Sequence, residues 1–219
     1  GIALLVHAAL DSSLRETALA ILLVLCAGLI VSAARMTRCS TDAVQVIPIR
    51  SRFVWGMSAA CVLLLVGAEV SRLGMAWLTF DAASRRAVAG ETDAAIQGLQ
   101  HAIALDPGKS LYHHGLGSVY ARAFDASRDK EMFRLAHAEF KEAIELNPLD
   151  SRLLGLLGQL YVSAAQAPSL SGGLDEQRKS WIRAALRVYE RAVRLAPFSA
   201  PYRYEQARPH WMLGENAAG

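Results

Sequence analysis

His7 and Asp11 stand four residues apart at the end of the apolar run GIALLVHAAL, residues 1–10. On a continuing helix that spacing sets an imidazole and a carboxylate on one face. Ionisable groups at membrane depth are costly and often functional, although a bland polar turn with Arg15 and Glu16 explains the pair equally well. Five other histidines, His101, His113, His114, His137 and His210, share no metal-ligand spacing and fit surface or groove positions. Cys26 and Cys61 lie in apolar runs and Cys39 in the link between them, so no CxxC or Cys/His cluster forms. No P-loop, GxSxG or HExxH is present. Gly115, Gly117 and Tyr120 open like a dinucleotide-binding turn, but the third glycine and a preceding strand are missing. The sequence therefore predicts no metal and no cofactor.

The elements that would carry such residues fall into two unlike parts. Residues 17–34 hold no charge, and residues 53–70 hold one ionisable group, Glu69, at the far end. Each stretch is long enough to cross a hydrocarbon core of about 30 Å. A signal peptide competes for residues 17–34, because Ser32-Ala33-Ala34 resembles a cleavage site. The apolar run exceeds the usual length for one, and no basic region precedes it. Four arginines, Arg35, Arg38, Arg50 and Arg52, mark residues 35–52 as a cytoplasmic loop by the positive-inside rule. That orientation places the following domain in the periplasm of a bacterial inner membrane, with Trp55 and Trp77 as interfacial anchors. The chain opens with Gly1 inside an apolar run, so it reads as the C-terminal piece of a longer protein. Residues 81–219 carry 17 basic and 16 acidic residues, net +1. No clustered basic face predicts nucleic-acid binding.

An internal repeat organises the rest. AIQGLQHAIALDP (95–107), AHAEFKEAIELNP (136–148) and ALRVYERAVRLAP (185–197) share Ala, a bulky apolar residue, Ala and Pro at spacings of four, three and five. Leu116-Gly117 is followed by Tyr120, and Leu157-Gly158 by Tyr161. This is the tetratricopeptide pattern of paired helices. Small Ala and Gly let helices approach, Leu99, Phe140 and Tyr189 fill the space between them, and each Pro ends a second helix. The expected fold is all-α: transmembrane helices within 1–75, then a tetratricopeptide α-solenoid over 76–219 with a capping helix. The prolines are 41 and 49 residues apart rather than 34. The excess is expected around 124–130 and in a loop at 164–174. First helices of such repeats line a concave groove. In register, His114, Ser118, Arg122, Arg152 and Gln159 would point into it and hold a protein or glycan partner.

The chain resembles the C-terminal end of the O-antigen ligase and polymerase family. The match comprises L-L-V-H-x-x-x-D with His7 and Asp11, an apolar span, an Arg-flanked loop, a second span and repeats. Ser12 departs from the Phe that members often carry after the Asp. The resemblance implies an integral-membrane glycosyltransferase acting on undecaprenyl-diphosphate-linked polysaccharide, with the repeats recruiting a partner or acceptor. Its catalytic His and Arg would lie upstream of Gly1, so no catalytic residue is carried over and this chain alone is expected to be inactive. The alternative is a non-enzymatic, membrane-tethered scaffold similar to a cytochrome c assembly subunit.

Overall fold

The computed structural model describes residues 49–171 and 175–213. His7, Asp11, the span at 17–34 and most of the loop at 35–52 lie outside the described residues. Two compact units divide between Met75 and Ala76.

The first helix, α1 (Ile49–Ala89), is longer than the sequence suggests at both ends. Arg50 and Arg52, expected in a cytoplasmic loop, lie in its first turn. Nor does it stop at Val70. Ser71 Oγ donates to the Gly67 carbonyl, and Arg72 pairs with Glu69 at 2.8 Å, so the polar residues are absorbed locally. The helix runs on to Gly90, whose φ of +86° breaks it. Within it, Leu63–Ala89 is long and apolar enough to cross a membrane by length and composition, and little of it is buried.

Among the described residues, six further helices and one short turn of helix follow. They are α2 (Thr92–Leu105), α3 (Ser110–Ser127), α4 (Lys130–Leu146), α5 (Ser151–Gln166), the four-residue α6 (Pro168–Ser171), α7 (Asp175–Leu195) and α8 (Ala200–Leu213). The repeat signature sets these boundaries. Before each repeat proline, the backbone N–H of Asp106, Asn147 or Ala196 donates to the signature alanine four residues back, Ala102, Ala143 or Ala192. The proline cannot extend the ladder. The next helix then begins three residues later, at Ser110, Ser151 and Ala200.

The expected loops are largely helix. Around 124–130, α3 extends to Ser127, and the turn is confined to Arg128 and Asp129. Arg128 has a φ of 56°, in the left-handed region. Its guanidinium reaches the Ser163 carbonyl at 3.4 Å and stacks over Phe124, contacts that hold the costly conformation in place. At 164–174, α5 continues to Gln166 and α6 follows it.

The repeat domain has two layers. In the second-helix layer, Phe140 and Tyr189 are fully buried and face the first helices. A Cβ built on Gly117 would lie 2.8 Å from Phe140, and one on Gly158 would lie 2.7 Å from Tyr189. Both glycines are therefore required by close approach.

Candidate functional site

The first helices lie side by side as the other layer. Phe80 of α1 packs on Tyr112 of α3 with ring centroids 5.0 Å apart. Arg122 of α3 donates to the Ala87 carbonyl of α1 at 3.3 Å. Arg128, just past the end of α3, donates to the Ser163 carbonyl of α5 at 3.4 Å. Gly155 of α5 leaves room for the Tyr202 ring of α8, which a Cβ there would approach to 2.9 Å. One face of this layer is turned away from the second helices and forms the candidate site.

Because α3, α5 and α8 each start three residues after a proline, their positions correspond. The face uses the second, fifth, ninth and thirteenth residues of each helix. On α3 these are Leu111 (exposed), His114 and Ser118 (half-buried) and Arg122 (exposed). On α5 they are Arg152 and Gln159, both exposed, with buried Gly155 between them and half-buried Ser163 beyond. On α8 they are Pro201, Tyr204 and Arg208, all exposed, and half-buried Met212. The five residues singled out from the sequence thus lie on two adjacent helices. Tyr204 and Arg208 of the third escaped the sequence reading, because α8 lacks the Leu-Gly-x-x-Tyr signature and offers only its distance from Pro197.

Charge on this face is one-sided. Arg122 and Arg208 are exposed and make no ion pair among the described residues. Arg152 pairs with Asp150 at 2.9 Å, and Asp150 also accepts the Arg152 backbone N–H as the helix cap. The pKa of His114 is lowered: burial pushes it down, the Arg152 charge pushes it further, and Asp150 only partly opposes them. The acids of these helices stand elsewhere, with Asp81 paired to Arg85, Asp125 to Arg128, and Glu205 beside Tyr189. No acidic side chain occupies any of the twelve positions on α3, α5 and α8.

The histidines read from sequence as surface or groove residues divide differently in the structure. His113 is buried, with Nδ1 on Glu139 and Nε2 on the Pro107 carbonyl. That site went unrecognised because its carboxylate lies 26 residues away. His137 is half-buried among aromatic rings. It stacks on Phe133 with centroids 5.9 Å apart and bonds to the Tyr161 hydroxyl at 2.9 Å. Trp181 closes the cluster against both Phe133 and Tyr161. No group of three or more His, Cys, Asp or Glu residues able to hold a metal occurs among the described residues.

No family model and no curated protein matches this chain. Solved structures do. The first tetratricopeptide domain of Spaghetti (RPAP3), bound to the HSP90 peptide SRMEEVD, is 17% identical with a TM-score of 0.51. That match covers 64% of this chain and 97% of the other. A tetratricopeptide protein of Thermus thermophilus is 18% identical with a TM-score of 0.53, over 64% of this chain and 66% of that one. The repeat domain has a tetratricopeptide fold. At these identities the likeness is one of fold, and it agrees with the repeat read from Ala, Gly and Pro spacing.

Proposed function

We propose that this chain is a membrane-tethered interaction scaffold whose first-helix face holds an extended, acidic segment of a protein partner. The observation that carries the reading is the charge of the face. Arg122 and Arg208 stand exposed on it without acids, and half-exposed Leu111 and the exposed Tyr204 ring offer apolar contact beside them. Guanidinium groups recognise carboxylates through paired N–H donors. The similar Spaghetti domain is bound to a peptide, SRMEEVD, that is itself rich in carboxylates. The tether in this proposal is α1, where Leu63, Leu64 and Leu65 are all more than 60% exposed. Such a row of apolar side chains suits lipid contact. An inner-membrane location with a periplasmic repeat domain follows from the arginine distribution and forms part of the same proposal.

The scaffold reading is preferred to that of a glycan ligase. The motif of the family resemblance, His7 and Asp11, and the span at 17–34 lie outside the described residues, and the repeats belong equally to a scaffold. Titration of the full chain with fluorescent acidic, neutral and basic extended peptides tests the scaffold reading. The acidic peptide is expected to bind, and Arg122→Glu with Arg208→Glu should weaken it about tenfold or more. Equal affinity for the three peptides would sink it.

A further inference from the structure

The outward side of α7 carries a charge pattern that the other second helices lack. Arg183, Arg187, Arg191 and Arg194 follow at spacings of four, four and three, which sets them on one stripe of the helix, and all four are exposed. The same places relative to the signature alanines are held by Asp93, Gln97, His101 and Ala104 on α2. On α4 they are held by Arg134, Ala138, Glu142 and Glu145. Those residues are exposed too, even on α4, which has a repeat on either side. The stripe is therefore the outer face of each second helix, and only its basic character is particular to α7. Residues 183–199 hold the four arginines and one acid, Glu190. None of the four makes an ion pair among the described residues, and Arg191 donates to the Pro148 carbonyl at 3.2 Å. The near-neutral total of residues 81–219 conceals this concentration of charge.

The stripe ends at an apolar corner. The residue after each repeat proline is Gly108, Leu149 or Phe198, and Leu149 is 57% and Phe198 96% exposed. These turns share one edge of the repeat domain. Ser110, next to the Pro107 turn, donates to the Ala143 carbonyl near the end of α4, and Arg191 ties the end of α7 to the Pro148 turn. Ala76, the first residue of the repeat unit, packs with Ala102 and Tyr112 on either side of the Pro107 turn. The chain thus enters the domain at the edge that carries Phe198. An exposed ring beside four guanidinium groups matches an anionic lipid surface, where the ring enters the boundary between headgroups and acyl chains and the arginines meet phosphates. Nucleic acid fits less well, because bases need aromatic platforms along a basic track and no exposed aromatic residue stands among the four arginines. Glu142 and Glu145 make the neighbouring end of α4 acidic, which confines the contact to the α7 corner. We propose that the arginine stripe of α7 and Phe198 form a docking surface for an anionic phospholipid bilayer.

The test uses the full chain with Cys26→Ser, Cys39→Ser and Cys61→Ser. It carries a polarity-sensitive fluorophore at Ala200→Cys, an exposed position two residues from Phe198. Detergent is removed in the presence of phosphatidylcholine vesicles with or without phosphatidylglycerol. Flotation with phosphatidylcholine alone reads the tether of the proposed function, and emission of the label reads the corner. The label is expected to shift to the blue with phosphatidylglycerol and not without it, and to lose the shift at high ionic strength. Arg183→Glu, Arg187→Glu and Arg194→Glu together should abolish the shift and keep the thermal midpoint, since Arg191 stays on Pro148. No shift with phosphatidylglycerol, an equal shift in both vesicles, or a shift that survives the three substitutions would overturn the proposal. So would displacement of the label from the vesicles by a single-stranded oligonucleotide, which gives the stripe to nucleic acid. A chain that floats and shifts only with phosphatidylglycerol loses the tether and keeps the docking surface, so the two readings fail separately.

Discussion

His113 Nδ1 donates to Glu139 Oε2 at 2.8 Å across the α3–α4 hairpin. The other ring nitrogen faces the Pro107 carbonyl, also an acceptor, at 3.2 Å. Both nitrogens must carry hydrogen to satisfy both partners, which makes the ring an imidazolium. Burial pushes its pKa down. The Glu139 hydrogen bond, the Pro107 carbonyl and the charges of Glu139 and Glu142 outweigh burial and raise it above 6.5.

The first prediction follows from that sign. A raised folded-state pKa gives stability that is fully present below 6.5 and lost as pH rises through the folded-state value. Denaturant unfolding of the full chain across this range should show a falling midpoint on the alkaline side. Glu139→Gln should flatten that limb, and His113→Ala should cost about 1.5–3 kcal/mol on the acid side. A limb that persists in Glu139→Gln would assign it to another group.

His137 should act in the opposite sense. Burial among Phe133 and Tyr161, with the Lys141 charge, lowers its pKa below 6.5. Its contribution is present above 6.5 and lost as pH falls toward the lowered value. His137→Phe should remove this acid-side loss while keeping the stack on Phe133. Proton NMR titration of the two imidazoles would show them moving apart from the ordinary histidine value.

Gly117→Leu should lower the thermal midpoint of the repeat domain. The new side chain would meet Phe140, itself only 1% exposed, at a distance no Cβ tolerates. Overpacking of this kind costs about 1–3 kcal/mol. Gly158→Leu should behave alike against Tyr189, and an unchanged midpoint in both would contradict the helix approach described above.

Asp150 caps α5 and holds Arg152 together. Burial acts to raise its pKa, but the hydrogen bonds and charge of Arg152 prevail and lower it. Its contribution is therefore present above 3.8 and lost as pH falls through the folded-state value. Asp150→Ala should cost about 1 kcal/mol, whereas Asp150→Asn keeps the cap and should cost little. The same Asn variant releases Arg152, so affinity for an acidic peptide should rise. Isothermal titration of the two variants separates cap from charge.

Cys61 is exposed on α1. If lipid covers that stretch, an impermeant maleimide should leave it unlabelled in membrane vesicles and label it after denaturation in SDS. Labelling of intact vesicles would remove the membrane from the proposed function.

The repeats were legible because their constraints are local. A proline ends each second helix, an alanine or glycine marks each close approach, and fixed spacing ties them together. The continuation of α1 through Glu69 and Arg72 was not legible, because side-chain pairing within the helix hides the charges that otherwise suggest an end. His113 was misplaced on the surface for a related reason, as its fate depends on a carboxylate brought near only by folding. The cluster of Phe133, His137, Tyr161 and Trp181 joins three helices and follows no sequence period. Of the first-helix face, the α3 and α5 positions could be read from Leu-Gly-x-x-Tyr, and the α8 positions only from the restart after Pro197.

Gln100 donates to the Tyr120 hydroxyl at 3.3 Å, and His137 meets the Tyr161 hydroxyl at 2.9 Å. In both cases the signature tyrosine of one repeat reaches the second helix of the repeat before it. Stability in a solenoid is set by each unit and by its junction with the next. These two bonds lie on the junctions, so repeats joined by them resist opening one at a time. Amide hydrogens of α2, α3, α4 and α5 should therefore exchange through a shared opening, and replacing either tyrosine by Phe should split that opening into separate steps.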